Sequence, residues 1–137
     1  MTPLFRKIVT SLGAATVLSA TLALSAQAQG FGEHYACYRI DPHGGFDPRT
    51  VELKDQFAGY KAEVIRPVSL CNPVDKNGEG IREPEVHLVC YEIRAEAVTD
   101  VRPTVDVNTS NQFTEQSMTA VVPPVTLCVP TKKERLR

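Results

Sequence analysis

Tryptophan is absent from this 137-residue chain, and only 7% of its residues are aromatic. Without Trp there is no indole platform for stacking sugar rings. Charge of one sign is also lacking: 15 Lys and Arg stand against 16 Asp and Glu. That balance gives no basic face for nucleic acid or an anionic membrane. Past residue 24 no run is long and apolar enough to span a bilayer, which takes about 20 residues. The same stretch carries no 3.6-residue apolar stripe longer than two turns, so helices are not expected there. Nucleophile motifs are missing too. Ser69, Ser110 and Ser117 lie in no strand-turn-helix elbow.

The N-terminus has a three-part export pattern. Arg6 and Lys7 form a basic start, residues 8–24 an apolar run diluted with Ser and Thr, and Ala26-Gln27-Ala28 a small-x-small cleavage site. Residues 1–28 are therefore expected to be a signal peptide, leaving 29–137 as one exported domain, periplasmic or extracellular. After cleavage it is not an integral membrane protein. No cysteine marks the cleavage point for lipid attachment. Arg6 and Lys7 are the only charges in the leader, so the rest carries a net charge of −3. The basic end Lys132 to Arg137 reads as a solvated terminus.

Two halves of the domain can be laid over each other. His34-Tyr35-Ala36-Cys37-Tyr38-Arg39-Ile40 matches His87-Leu88-Val89-Cys90-Tyr91-Glu92-Ile93. Thr50-Val51-Glu52-Leu53 matches Thr104-Val105-Asp106-Val107, and Gln56-Phe57 matches Gln112-Phe113. Pro67-Val68-Ser69-Leu70-Cys71-Asn72-Pro73 matches Pro124-Val125-Thr126-Leu127-Cys128-Val129-Pro130. The offset drifts only from 53 to 57 residues. Order, chemistry and spacing agree at four places, which predicts half-repeats at 34–73 and 87–130 joined by a linker at 74–86.

Each half reads as β. Tyr38 and Ile40 alternate with Cys37, as Tyr91 and Ile93 do with Cys90. Val51, Leu53 and Phe57 share a period of two, as do Val64, Val68 and Leu70. Thr119 to Leu127 is rich in Val and Thr, which suits a pleated surface. Pro67, Pro123 and Pro124 remove ladder donors and belong at edges, bulges or strand ends. Asp41-Pro42-His43-Gly44-Gly45 and Asp47-Pro48 are turn chemistry. The expected fold is all-β: a compact six-stranded sandwich or barrel from two β-β-β half-repeats around a pseudo-twofold.

All four cysteines follow the leader, and an even count in an exported chain reads as a disulfide framework. Symmetry does not choose among the three pairings. Cys37–Cys71 with Cys90–Cys128 is favoured because it makes each half a closed unit. A loop of about 35 residues then contributes roughly 4 kcal/mol per bridge on a chain-entropy account.

The set His-x-x-Cys-Tyr, Leu-Cys-Asn-Pro-Val-Asp-Lys-Asn-Gly-Glu-Gly, His-Leu-Val-Cys-Tyr, Asn-Gln-Phe and Leu-Cys-Val-Pro resembles an uncharacterised domain of exported bacterial proteins. The resemblance covers about residues 34–133. It implies an extracytoplasmic location and a paired-repeat β unit. It implies no activity and no catalytic residues.

Site candidates are weak. Asp75, Asn77 and Glu79 alternate and precede Gly80, like the start of a calcium loop. The twelfth position is Val86 instead of Glu, and Pro84 bars an exiting helix; Glu83 and Glu85 offer further oxygens. A polar turn, with Gly78 and Gly80 at positive φ, accounts for the segment more simply. His34 and His87 precede Cys37 and Cys90 by three residues, but on a strand that spacing puts them on opposite sides, against zinc. Their repetition favours a structural hydrogen bond made twice. His43 reads as an exposed turn residue.

Glu52 and Asp106 occupy equivalent outward positions and read as a solvated face. The Phe of Gln56-Phe57 and of Gln112-Phe113 reads as core in both halves, with the Gln amides bonding backbone. Tyr35, Tyr38, Tyr60 and Tyr91 lie in core-like strands. Asn108-Thr109-Ser110 is a formal glycosylation sequon, without meaning in a bacterial chain. The expectation is a non-enzymatic exported binding or structural module with no catalytic residues and no cofactor. Its function would lie in surface loops, with Phe46, Asp47 and the linker as candidates. An envelope or extracellular protein or polysaccharide is the expected partner, and nucleic acid is not. A calcium-dependent adhesion module is the alternative, and a small hydrolase or inhibitor the third reading.

Overall fold

The computed structural model describes residues 32–136. The leader expected at 1–28 lies outside them. The described residues form seven strands and no helix: β1 (Tyr35–Arg39), β2 (Arg49–Lys54), β3 (Gly59–Pro73), β4 (His87–Ala97), β5 (Thr104–Ser110), β6 (Glu115–Val121) and β7 (Thr126–Thr131). Every pairing is antiparallel.

Strand β3 organises the larger sheet. On one edge its first half takes β2 (Val51↔Ala62) and its second half takes β1 (Cys37↔Cys71). The other edge takes β4, and β7 lies beyond β4, giving the order β1-β3-β4-β7 with β2 also on β3. Two register shifts interrupt the β3·β4 ladder, between Val64 and Arg66 and between Pro67 and Ser69. The irregularity falls at Pro67, which has no N–H to donate to a ladder.

Alternation then divides the sheet faces. Tyr60, Ala62 and Val64 of β3 are buried while Lys61 and Glu63 are exposed, and Ile93 and Ala95 of β4 are buried opposite Val64 and Ala62. These five and Val122 make the core, with Phe46, Val51, Leu53, Tyr91, Val101, Val105 and Leu127 packed around it. Tyr60, 2% exposed, is among the largest fully buried side chains. The opposite face carries cross-strand ion pairs, Arg66–Glu92 at 2.8 Å and Arg94–Glu63 at 3.1 Å, each between directly opposed residues or at the shifted register. Both pairs are exposed and contribute at most about 1 kcal/mol.

The sulfurs share that second face. Cys71 pairs with Leu88 and Cys128 with Cys90, so alternation sets all of them opposite Tyr91 and Ile93. Bridges join Cys37 to Cys71 and Cys90 to Cys128, each between residues directly across a strand pair. The Cys71 and Cys90 sulfurs lie 3.8 Å apart and are buried. The four cysteines therefore cross β1, β3, β4 and β7 as one row.

The pairings of the two halves match. β1·β3 and β4·β7 both centre on a bridged cysteine pair, and the β2·β3 and β5·β6 hairpins turn alike. Asp55 Oδ1 accepts the N–H groups of Phe57 and Ala58, and Asn111 Oδ1 those of Phe113 and Thr114. Each turn is closed by an identical backbone bond, Asp55 to Ala58 and Asn111 to Thr114, both 3.0 Å.

Three parts of the expectation change. The strands number seven because the Thr119–Leu127 segment, expected as one strand, breaks between β6 and β7. Val122-Pro123 is a cis peptide there, and neither Pro123 nor Pro124 can donate to a ladder. The barrel is not closed: β5 and β6 form their own two-stranded sheet, and Val105 and Val122 at its base pack on the core of the larger one. That layering suits a sandwich. The halves, finally, are not related by a twofold. Under the sequence match β1 corresponds to β4 and β3 to β7, and each matched pair runs in the same direction within the sheet. A shift of two strands along the sheet carries β1 and the second half of β3 onto β4 and β7, while β5 and β6 leave the sheet that holds β2.

Candidate functional site

The 74–86 loop joins β3 to β4 and is tied to the residues before β1. Glu33 Oε1 accepts the N–H groups of Arg82 (2.7 Å) and Glu83 (3.1 Å), and Val74 N–H donates to His34 O (2.9 Å). Glu79 sits between two bases: Oε2 meets His34 Nε2 at 3.0 Å and Oε1 pairs with Lys76 Nζ. The Lys76 hydrogen bond, then that of His34, hold the Glu79 carboxyl below its ordinary pKa. Asp75 Oδ1 accepts Gly80 N–H at 3.2 Å. Asn77, Gly78 and Gly80 take φ of 57°, 81° and 82°, a left-handed bend that glycine allows without strain.

The calcium-like triplet therefore does not converge. Asp75 caps its own turn, Glu79 faces Lys76 and His34, and Asn77 supplies backbone curvature. Among the described residues no group of three or more His, Cys, Asp or Glu is placed to hold a metal ion. The two histidines also differ. His34 is half-exposed on Glu79, whereas His87 is 8% exposed with Nδ1 lacking a protein partner. The expected bond made twice is made once, because the acceptor, Glu79, belongs to the loop and has no counterpart after Cys128.

All four cysteines are bridged. Ser110 Oγ donates to Glu115, Ser117 Oγ to Asn108, and Ser69 is half-buried in β3 opposite Cys90. Asn108, Thr109, Ser110, Glu115, Gln116 and Ser117 line an open polar concavity on the β5–β6 ribbon. Asn108 of the sequon is thus engaged by Ser117 at 2.6 Å. Glu52 is exposed opposite Lys61, and exposed Asp106 accepts from Thr119 Oγ1 at 2.7 Å, as outward strand positions require.

Loop assignments shift in detail. Phe46 is not a free surface residue: its ring lies 5.4 Å from that of Tyr91 and it packs on the core, while Asp47 and His43 are exposed. Phe57 is half-buried, but Phe113 is 79% exposed and stands 5.8 Å below Lys76 Nζ. Among the described residues its hairpin pairs with no strand beyond β5 and β6, so the matched Phe finds no core. The turn bonds come from Asp55 and Asn111; Gln56 and Gln112 are exposed. An Asp or Asn two residues before Phe was the legible signal for those turns. Tyr60 and Tyr91 belong to or border the core, Tyr35 is half-buried, and Tyr38 is 55% exposed. Burial, then the Asp55 charge, push the Tyr60 pKa up, and its hydroxyl has no protein partner.

No helix among the described residues is long and apolar enough to cross a membrane. No protein-family model, no curated protein and no solved structure matches the chain.

Proposed function

We propose that the chain is an exported, non-enzymatic module, periplasmic or extracellular, that serves as a binding or structural part of the cell envelope. The observation that carries this reading is the row of four bridged cysteines across β1, β3, β4 and β7. Such bridges persist in oxidising compartments and are kept reduced in the cytosol. The three-part pattern of residues 1–28 supplies the route to such a compartment. The matched pairings of 34–73 and 87–130 support an internal duplication as the origin of the domain.

A rigid oxidised scaffold presents loops, and the ordered 74–86 loop is the polar surface best defined by its own bonds. The Asp75 and Glu79 carboxylates are spent on Lys76, His34 and backbone, so the calcium reading receives no specific support. The test begins with the full sequence expressed under its own leader. Intact mass should show loss of residues 1–28 and two oxidised bridges in the extracytoplasmic fraction. A full-length chain with free thiols in the cytosol refutes the proposal. Screening the processed protein against envelope polymers and secreted proteins tests the binding role; a hydrolytic activity abolished by one point substitution refutes the non-enzymatic part.

A further inference from the structure

We propose that the two outer strands, β7 of one copy and β1 of the next, pair antiparallel and join copies head to tail into one continuous sheet. The proposal goes beyond the envelope reading and rests on strand pairing alone.

The chain already contains the template. β3 ends the first half and β4 begins the second, and they pair from Tyr60↔Ala97 to Cys71↔Leu88, with an unbroken register over Ser69 to Cys71. β7 matches β3 in sequence and β1 matches β4. Because the halves are related by a shift along the sheet, a further shift in the same sense sets β1 of a second copy beside β7. The β3·β4 register transfers directly. Ser69↔Cys90 becomes Thr126↔Cys37, Leu70↔Val89 becomes Leu127↔Ala36, and Cys71↔Leu88 becomes Cys128↔Tyr35.

The backbone groups on both edges point the right way. Val74 N–H donates to His34 O and Ile93 N–H to Val125 O. Antiparallel ladders alternate bonded and non-bonded pairs. Counting from those anchors, Tyr35, Cys37 and Arg39 on β1, and Thr126 and Cys128 on β7, turn their N–H and C=O away from their own partner strands. Among the described residues neither outer edge is paired. Thr126↔Cys37 and Cys128↔Tyr35 would then be bonded pairs, as the internal template requires.

Burial carries the same signature. Cys71 and Cys90, at the internal junction, are buried with their sulfurs 3.8 Å apart. Their matched partners at the ends of the sheet, Cys128 and Cys37, are exposed, and Tyr38 is exposed where its match Tyr91 is half-buried. Head-to-tail pairing puts Cys128 of one copy diagonal to Cys37 of the next and continues the sulfur row. A head-to-tail contact leaves one edge of each copy free for a further copy, so it builds past a dimer, as an open series or a closed ring. The shared strands are short, β1 being five residues, which places the contact in the weak class below about 1,200 Å².

The test uses the full chain, expressed under its own leader and purified oxidised. Sedimentation should show the average mass rising past that of a dimer as concentration goes from about 10 µM to about 1 mM, the range of a weak interface. Amide exchange at Tyr35, Cys37, Thr126 and Cys128 should slow with concentration, while exchange at Leu127 and Val129, bonded within the sheet, should not change. Thr126→Pro removes one outward donor and leaves the β4·β7 ladder intact, as Pro130 already does in that strand. It should stay monomeric alone and, because its β1 edge is unaltered, should cap wild-type assemblies and lower their mean mass. A wild-type chain monomeric at about 1 mM overturns the proposal. So does association that spares these amides, that protects one edge only, or that persists in folded Thr126→Pro. Slowed exchange only upon adding a foreign extended peptide, with no self-association, identifies a different occupant of the edge and also overturns it.

Discussion

Removing the Cys37–Cys71 bridge tests how the fold is held. Cys71 is fully buried and Cys37 exposed, so the matched variant is Cys37→Ser with Cys71→Ala, which avoids burying a hydroxyl. The bridge spans a sequence separation of 34. Opening that loop in the unfolded chain costs about 4 kcal/mol of stability. Against a typical total of about 5–15 kcal/mol, that is a large share. For roughly 105 ordered residues it lowers Tm by about 15–20 °C. The second bridge, with a separation of 38, has nearly the same worth by the same relation. The two loops follow one another without overlap, so the entropy terms add. The Cys71 and Cys90 sulfurs nevertheless touch, and each single removal loses that contact. Removing both bridges should therefore cost less than the two losses combined, by about 0.5–1 kcal/mol. Equilibrium urea unfolding of the four species closes this cycle, with circular dichroism confirming the fold. A loss below about 1 kcal/mol for the first bridge refutes the loop argument. Strict additivity refutes the sulfur contact.

Tyr60→Phe removes a buried hydroxyl without a protein partner and should stabilise by about 1 kcal/mol in urea unfolding; a loss of that size would mean the hydroxyl is bonded. With the Tyr60 pKa raised by burial and then by Asp55, its share of stability is complete below pH 10 and is lost as pH rises through the higher folded value; Tyr60→Phe should flatten that alkaline fall in Tm. Glu79 is the opposite case. Its carboxyl is held below the ordinary carboxylate value of about 4.5 by Lys76 and then His34, so its contribution is present above that pH and is lost as pH falls through the lower folded value. Glu79→Gln should reduce the slope of Tm against pH in that acid window and leave the slope above it unchanged; an unchanged acid slope counts against the pairing. Asp55→Ala and Asn111→Ala each delete two turn bonds and should cost about 1 kcal/mol, but only Asp55→Ala, whose hairpin borders the core, should loosen exchange in β3.

The strands, the two bridges and the outward positions of Glu52 and Asp106 were legible because each depends on local alternation and on cysteines matched between the halves. Less legible was anything set by what lies across a strand. Phe57 and Phe113 occupy matched turn positions, yet Phe57 is half-buried and Phe113 exposed, because β3 has β4 on its second edge while, among the described residues, β6 pairs with β5 alone. The break at Val122-Pro123-Pro124 is written in the prolines. Its consequence, a hairpin folded onto the core instead of a continued strand, depends on that absent neighbour. Pro67 tolerates a central position only because two register shifts absorb it. The direction relating the halves was hidden as well, since local matches are the same whether copies rotate or shift. His34 and His87 parted for a similar reason: the sequence around each is alike, but Glu79 stands near only one of them.

Where the cysteines are tied alters how the polymer responds to a pull on its ends. Tension entering ahead of residue 37 passes through sulfur to residue 71, runs along the backbone to residue 90, and leaves through sulfur at 128. Residues 38–70 and 91–127 lie off that covalent route and cannot be unravelled while the bridges hold. Only the 19 steps from Cys71 to Cys90 are free to pay out, roughly 65 Å of extended chain. The domain is thus a tether of limited stretch, with most of its length sheltered from force.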